Sequence, residues 1–220
     1  GAMGAGLERL LLRHFQNRDP ILQLLVTFAA FMVLEDVLRM IWGATPRTAS
    51  EVAARLGTSE FLGVSFLNYQ LFLVPGVALL AYALLQVLLR HSIAGKQIVA
   101  VIHHREFATA MGINAGRIGT LTFALAGALG ALGGALSVPM TSFVPGLGAE
   151  MIVTSFAVIA TAGLGQITGA LVAALLIGLA RSLAVYTLPE LEVMMPYLMM
   201  VAVLLVRPHG LLSVAAARRI

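Results

Sequence analysis

Long apolar runs alternate with shorter polar ones along the whole chain. A helix needs about 20 apolar residues to cross a bilayer core. The first run, 21–42 (ILQLLVTFAAFMVLEDVLRMIW), is long enough, with Pro20 to start it and Trp42 suited to an interface. The polar stretch 43–65 reads as an ordered surface loop. A second run, about 67–89, contains Pro75, which predicts a kink. After a polar segment at 90–117 comes a third run, about 118–138. Pro139, Pro145, Gly146 and Gly148 mark 139–149 as broken backbone. The apolar run at 150–162 is short and reads as a half-span or re-entrant helix. GLGQITGA (163–170) forms a tight turn into a run at about 168–187, and a last run, about 193–207, ends in RPHGLL and a basic tail. The pattern predicts an all-α polytopic membrane protein with about six transmembrane or half-membrane helices.

Charge adds the orientation. With 7–19 placed inside, the inside pieces also include 90–117, the turn at 163–167 and the tail. They hold Arg9, Arg13, Arg18, Arg90, Lys96, Arg105, Arg117, Arg207, Arg218 and Arg219. The outside pieces hold Arg47 and Arg55 against Glu51, Glu60, Glu150, Glu190 and Glu192. This asymmetry predicts cytoplasmic N- and C-termini. Composition agrees: 60% of the 220 residues are hydrophobic and 11% charged, against about 25% charged in soluble domains. The net charge of +4 therefore reads as a topology signal and not as a nucleic-acid surface. Without Cys there is no disulfide framework or thiolate metal site, and the His residues lack ligand spacing, since His103 and His104 are adjacent. The opening GAMGAG reads either as a protease scar or as the tail of a membrane helix.

Polar groups inside the runs need a reason. Glu35, Asp36 and Arg39 lie in the first run, where each charge costs roughly 2.5–3.5 kcal/mol at a helix centre. Arg39 is four residues after Glu35 and three after Asp36, so pairing on one face is available; the other reading is a polar lining facing a path or a partner. Arg181, in the outer part of its run, has the same two readings. Broken backbone at membrane depth is tolerated only in protein or beside water, so the hydroxyls around 139–150 (Ser137, Thr141, Ser142, Thr154 and Ser155) are candidates for a substrate path. The alternative is a plain outer loop. Rows of small residues four apart (Thr122, Ala126, Gly130, Gly134; Gly165, Gly169, Ala173; Ala170, Ala174, Gly178) predict close helix packing within the subunit, with a subunit interface or a pore lining as the other readings.

The segment HHREFATAMGIN (103–114) is the polar anomaly. Residues 105–111 fit one or two helical turns, and Gly112 suits a C-terminal stop. Phe107 and Met111 share a face, with small Ala108 and Ala110 beside them and His103, His104, Arg105 and Glu106 as a rim. Met suits a surface that repacks against a moving partner. A docking helix and an ordinary solvated loop both fit these residues.

The chain resembles the LivH-type permeases of branched-chain amino-acid ABC importers, in order over nearly its whole length. The motif Ala-x-x-x-Gly-Ile-Asn…Arg is matched by Ala108, Gly112, Ile113, Asn114 and Arg117; GLGQITGALVAALLIGLARSL (163–183), LLVRPHGLL (204–212), LERLLLRHF (7–15) and EDVLRMIWG (35–43) also fit. The family has roughly two further spans before the LERLLLR region, so the resemblance casts GAMGAG as the end of a longer helix. His103 and His104 stand where the family often has acidic or small polar residues.

The resemblance implies a single permease domain in the bacterial cytoplasmic membrane. It implies a second permease, two cytoplasmic ATPases and a periplasmic substrate-binding protein as partners, with no nucleic acid. Residues 103–114, within a cytoplasmic loop at 90–117, would be the ATPase-coupling helix. ATP and Mg would sit in the partners, and this subunit would carry no cofactor and hydrolyse nothing. Consistently, it has no Gly-x-x-x-x-Gly-Lys-Ser/Thr loop. Urea, aromatic acids or other carboxylates remain alternative cargoes, and a passive channel or ion-coupled carrier is an alternative class. An intramembrane enzyme finds no catalytic constellation inside the runs.

Overall fold

The computed structural model describes residues 1–12, 20–43, 45, 51, 57–61, 64–142, 146–163, 165–208 and 210–211. Arg13, Arg18, Arg47, Arg55, Pro145, Arg218 and Arg219 lie outside them. The chain divides into two compact units, Gly1–Pro145 and Gly146–Ile220.

In the first unit, α1 (Ala2–Leu7) continues as a π-helical stretch, Glu8–Leu12. It is followed by α2 (Pro20–Trp42), a hairpin of β1 (Thr58–Phe61) and β2 (Val64–Leu67), and a π-helical turn, Tyr69–Leu73, running into α3 (Val74–His91). Then come α4 (Ile93–His103), α5 (Arg105–Ala110) and α6 (Ala115–Ser137). The second unit holds α7 (Leu147–Ala162), α8 (Ile167–Thr187), a short 3₁₀ turn at Pro189–Leu191 and α9 (Met195–Val206).

The apolar runs are therefore the helices that their lengths predict. Tyr69–His91, Ala115–Ser137 and Ile167–Thr187 are long and apolar enough to cross a membrane. At 16 and 12 residues, α7 and α9 are shorter. Two features differ from the periodicity reading. The stretch expected to be a loop contains the antiparallel hairpin, in register Thr58 with Leu67 and Phe61 with Val64. The second run is irregular one turn ahead of Pro75. Proline clashes with the carbonyl four residues back and offers no N–H, and a wider turn there absorbs both effects.

Glycine lets α1 lie directly on α6. A Cβ on Gly4 would stand 2.5 Å from the Phe123 carbonyl oxygen, and one on Gly127 would stand 3.3 Å from the Gly4 Cα. The GAMGAG segment is thus packed against α6. Close backbone approach replaces the hydrophobic drive that lipid does not supply. Beside this contact Glu8 is fully buried, and its carboxylate accepts a hydrogen bond from the Thr120 hydroxyl at 2.6 Å. Gly130 and Gly134, by contrast, face open space on exposed helix. The α1 contact uses Gly127 and leaves those two uncovered among the described residues.

The second unit is tied together by its glycines. Gly163 and Gly165 adopt positive φ (94° and 83°), which turns α7 sharply into α8. Gly169 packs against Ala162, whose carbonyl oxygen a Cβ would approach to 2.9 Å. Gly210 (φ 88°) lies on Gly163, with only 2.5 Å from its Cβ position to the Gly163 Cα. The Leu211 N–H donates to the Thr161 carbonyl at 2.9 Å, and Arg207 Nη1 donates to the Leu211 carbonyl at 3.1 Å. The RPHGLL ending and the GLG turn thus form a backbone-to-backbone contact between residues far apart in sequence.

Candidate functional site

The site starts at Ser92, between α3 and α4. Its hydroxyl donates to the Leu88 carbonyl at 2.5 Å and accepts from the Gly95 N–H at 2.9 Å. One side chain thus ends α3 and caps α4. A Cβ on Gly95 would overlap the Leu88 carbonyl and Leu89, so only glycine permits α4 to fold back this tightly. With Gly95 and Ile98 buried, α4 is seated on its neighbours α3 and α6. The polar loop expected at 90–117 is consequently mostly helix; the Ser-x-x-Gly cap was the sequence signal for it.

His104 breaks the helix with φ −144° and ψ 79°, and α5 begins at the next residue. Ala108 is buried and holds α5 against the adjoining helices. On the other side Phe107 is 73% exposed and Met111 84% exposed. Two large apolar side chains in this state form a protruding knob, with Ala110 alongside. The His104 ring meets the Phe107 ring edge-on at 5.9 Å between centroids. His103 Nδ1 lies 2.9 Å from the Val99 carbonyl, which fixes its ring to the end of α4. Arg105 and Glu106 are exposed.

The Gly-Ile-Asn triplet now has a mechanical reading. The Gly112 N–H donates to Thr109 and the Ile113 N–H to Ala108, both at 3.0 Å, and Gly112 has φ 85°. This is a Schellman stop, in which the two N–H groups after the helix satisfy its last carbonyls. Two residues later the Asn114 side chain accepts from the Arg117 N–H at 3.1 Å and caps α6. Between the knob and the 23-residue α6 there is therefore a turn hydrogen-bonded at both ends, with no slack residue.

The other candidate residues are placed as follows. Arg39 Nη2 contacts Glu35 Oε1 at 2.6 Å, while Asp36 is exposed on the same helix. Arg181 pairs with Glu192 beyond α8, at 2.9–3.0 Å, a partner that helical spacing alone does not reveal. The hydroxyls of Ser137, Thr141 and Thr154 donate to the carbonyls of Gly133, Ser137 and Glu150, each four residues back. Ser142 and Ser155 are exposed. Ser137, Thr141 and Ser142 belong to the first unit, and Thr154 and Ser155 to the second.

The family model described as branched-chain amino acid transport system / permease component matches residues 1–204. The high-affinity branched-chain amino acid transport system permease protein LivH of Escherichia coli (strain K12) is 26% identical over 96% of this chain and 70% of its own length. The probable branched-chain amino acid transport permease protein LivH of Methanocaldococcus jannaschii is 26% identical over 97% of this chain and 71% of its own. The permease protein BraD of Pseudomonas aeruginosa is 23% identical, over 96% and 70% respectively. No solved structure matches. With matched residues spanning nearly all of its apolar helices, the chain is a multi-pass membrane protein and belongs to the family of permease components of branched-chain amino acid transport systems.

Proposed function

We propose that the chain is the permease subunit of an ATP-binding-cassette importer in the bacterial cytoplasmic membrane, carrying branched-chain or related amino acids. Its partners are a second permease, two cytoplasmic ATPases that hold ATP and Mg, and a periplasmic binding protein. The subunit itself supplies the path and the coupling. One observation carries the reading: an exposed Phe107/Met111 knob sits on a short helix anchored by buried Ala108 and is joined without slack to α6. Such a knob fits an apolar groove in a soluble partner, with His103, His104, Arg105 and Glu106 at its rim. When ATP closes the ATPases, the groove moves, the knob follows, and the Gly112–Asn114 turn passes the displacement to α6. A rigid helix of 23 residues is about 34 Å long, enough to carry it across a bilayer core. The hydroxyls at Ser137, Thr141, Ser142, Thr154 and Ser155 remain the candidates to meet the cargo, with exposed Ser142 and Ser155 best placed to use their full hydrogen-bonding capacity.

The test uses Phe107→Asp and Gly112→Arg in the assembled transporter. Both variants are expected to insert normally, to lose the ATPases on purification, and to reduce leucine uptake about tenfold or more, the scale on which a buried interface anchor acts. Wild-type ATPase recovery and wild-type uptake in both would refute the docking reading.

A further inference from the structure

Tyr69 is buried at the start of the second membrane-spanning helix, and its hydroxyl donates to the Leu136 carbonyl at 3.0 Å. Leu136 is in the last turn of α6. Its carbonyl has no helical donor for a reason written in the sequence. The residue three ahead is Pro139, which lacks an N–H. The residue four ahead is Met140, whose N–H donates to Ser137 instead, at 3.0 Å. Where the helix breaks, an orphan carbonyl is left, and a tyrosine from another helix satisfies it. The charge asymmetry assigns this end of α6 to the outside, opposite the docking segment.

We infer that Tyr69 is a positioning residue of the transport cycle: its hydroxyl latches the outer end of α6 to the second span and releases it when the path opens outward. The inference rests on the permease reading above. A carbonyl at membrane depth does not tolerate the loss of its donor unless water takes the place. Rupture of this bond and entry of outside water are therefore one event, which is the behaviour of a gate. At its other end the same helix is fixed to the docking segment by Asn114 and to buried Glu8 through Thr120. Displacement of the knob thus reaches the latch through a single rigid element.

The chain contains no Cys, so a lone Val138→Cys, half-buried two residues past Leu136, reports opening through its labelling rate with a membrane-impermeant maleimide. The assembled transporter is labelled in energised and energy-depleted cells, with and without Tyr69→Phe. Tyr82→Phe, which disturbs a contact with Gln86 inside α3, is the control. In the otherwise wild-type protein the rate should depend on energy. Tyr69→Phe should raise the depleted-state rate about 3- to 15-fold, the span of measured interhelical hydrogen bonds in membranes, and Tyr82→Phe should leave it within twofold. Energy dependence in the wild type together with a Tyr69→Phe rate within twofold of it overturns the latch and leaves the permease reading standing, as does an equal rise with Tyr82→Phe. A wild-type rate indifferent to energy overturns the latch and counts against the permease reading as well, whatever Tyr69→Phe does.

Discussion

Gly165→Ala and Gly210→Ala separate two costs that glycine hides. Both positions have nearly the same backbone, φ 83° and 88°. At Gly165 a Cβ would meet nothing within 4 Å, so the substitution carries backbone strain alone. That strain is roughly 1–2 kcal/mol for an L-residue in the left-handed region. At Gly210 the same strain applies, but the new Cβ also sits 2.5 Å from the Gly163 Cα and nitrogen and 2.8 Å from the Ala162 carbonyl carbon. These are backbone atoms and have no rotamer to escape into. Pushing them apart adds about 1–3 kcal/mol of overpacking. It also strains the bond from the Leu211 N–H to Thr161, worth about 1 kcal/mol net. Gly210→Ala should therefore cost about 3–6 kcal/mol against roughly 1–2 for Gly165→Ala. Reversible unfolding of the purified protein from mild detergent into SDS, followed by circular dichroism, measures both. Equal losses for the two variants would refute the claim that the RPHGLL ending is held by backbone contact with the GLG turn.

Two further substitutions probe the first unit. Asn114→Ala removes the cap on α6 and should cost about 1 kcal/mol in the same titration, with Asn114→Asp retaining most of the stability; no loss for alanine would show that the cap does not matter. Gly4→Leu places a side chain against the Phe123 carbonyl and should displace α1 from α6, exposing Glu8 and lowering the unfolding midpoint. Gly130→Leu, in open space, should leave the midpoint unchanged within error, and equal effects at the two sites would contradict the assigned contact.

The apolar runs determined by themselves where the helices lie, because a backbone in lipid must satisfy its own hydrogen bonds and only an uninterrupted helix does so at that length. Local chemistry was legible for the same reason. Gly112 and the Phe107/Met111 spacing act within four residues of themselves, so a stop and a knob follow from identity and period alone; the Asn114 cap, ahead of the apolar run expected from about 118, came only with the structure. The hairpin at 58–67 escaped the sequence reading, since short strands in a polar stretch carry no such signal. The rows of small residues showed that helices could approach closely but not which ones do. Gly127, outside the expected row, holds α1, while Gly130 and Gly134 stay open. Partners distant in sequence were likewise decided only by the fold: Arg181 with Glu192, Gly163 with Gly210, Glu8 with Thr120 and Tyr69 with the carbonyl orphaned by Pro139. Periodicity constrains a residue's own helix. Which atom completes a buried polar group depends on how separate helices cross, and the tertiary structure alone sets that.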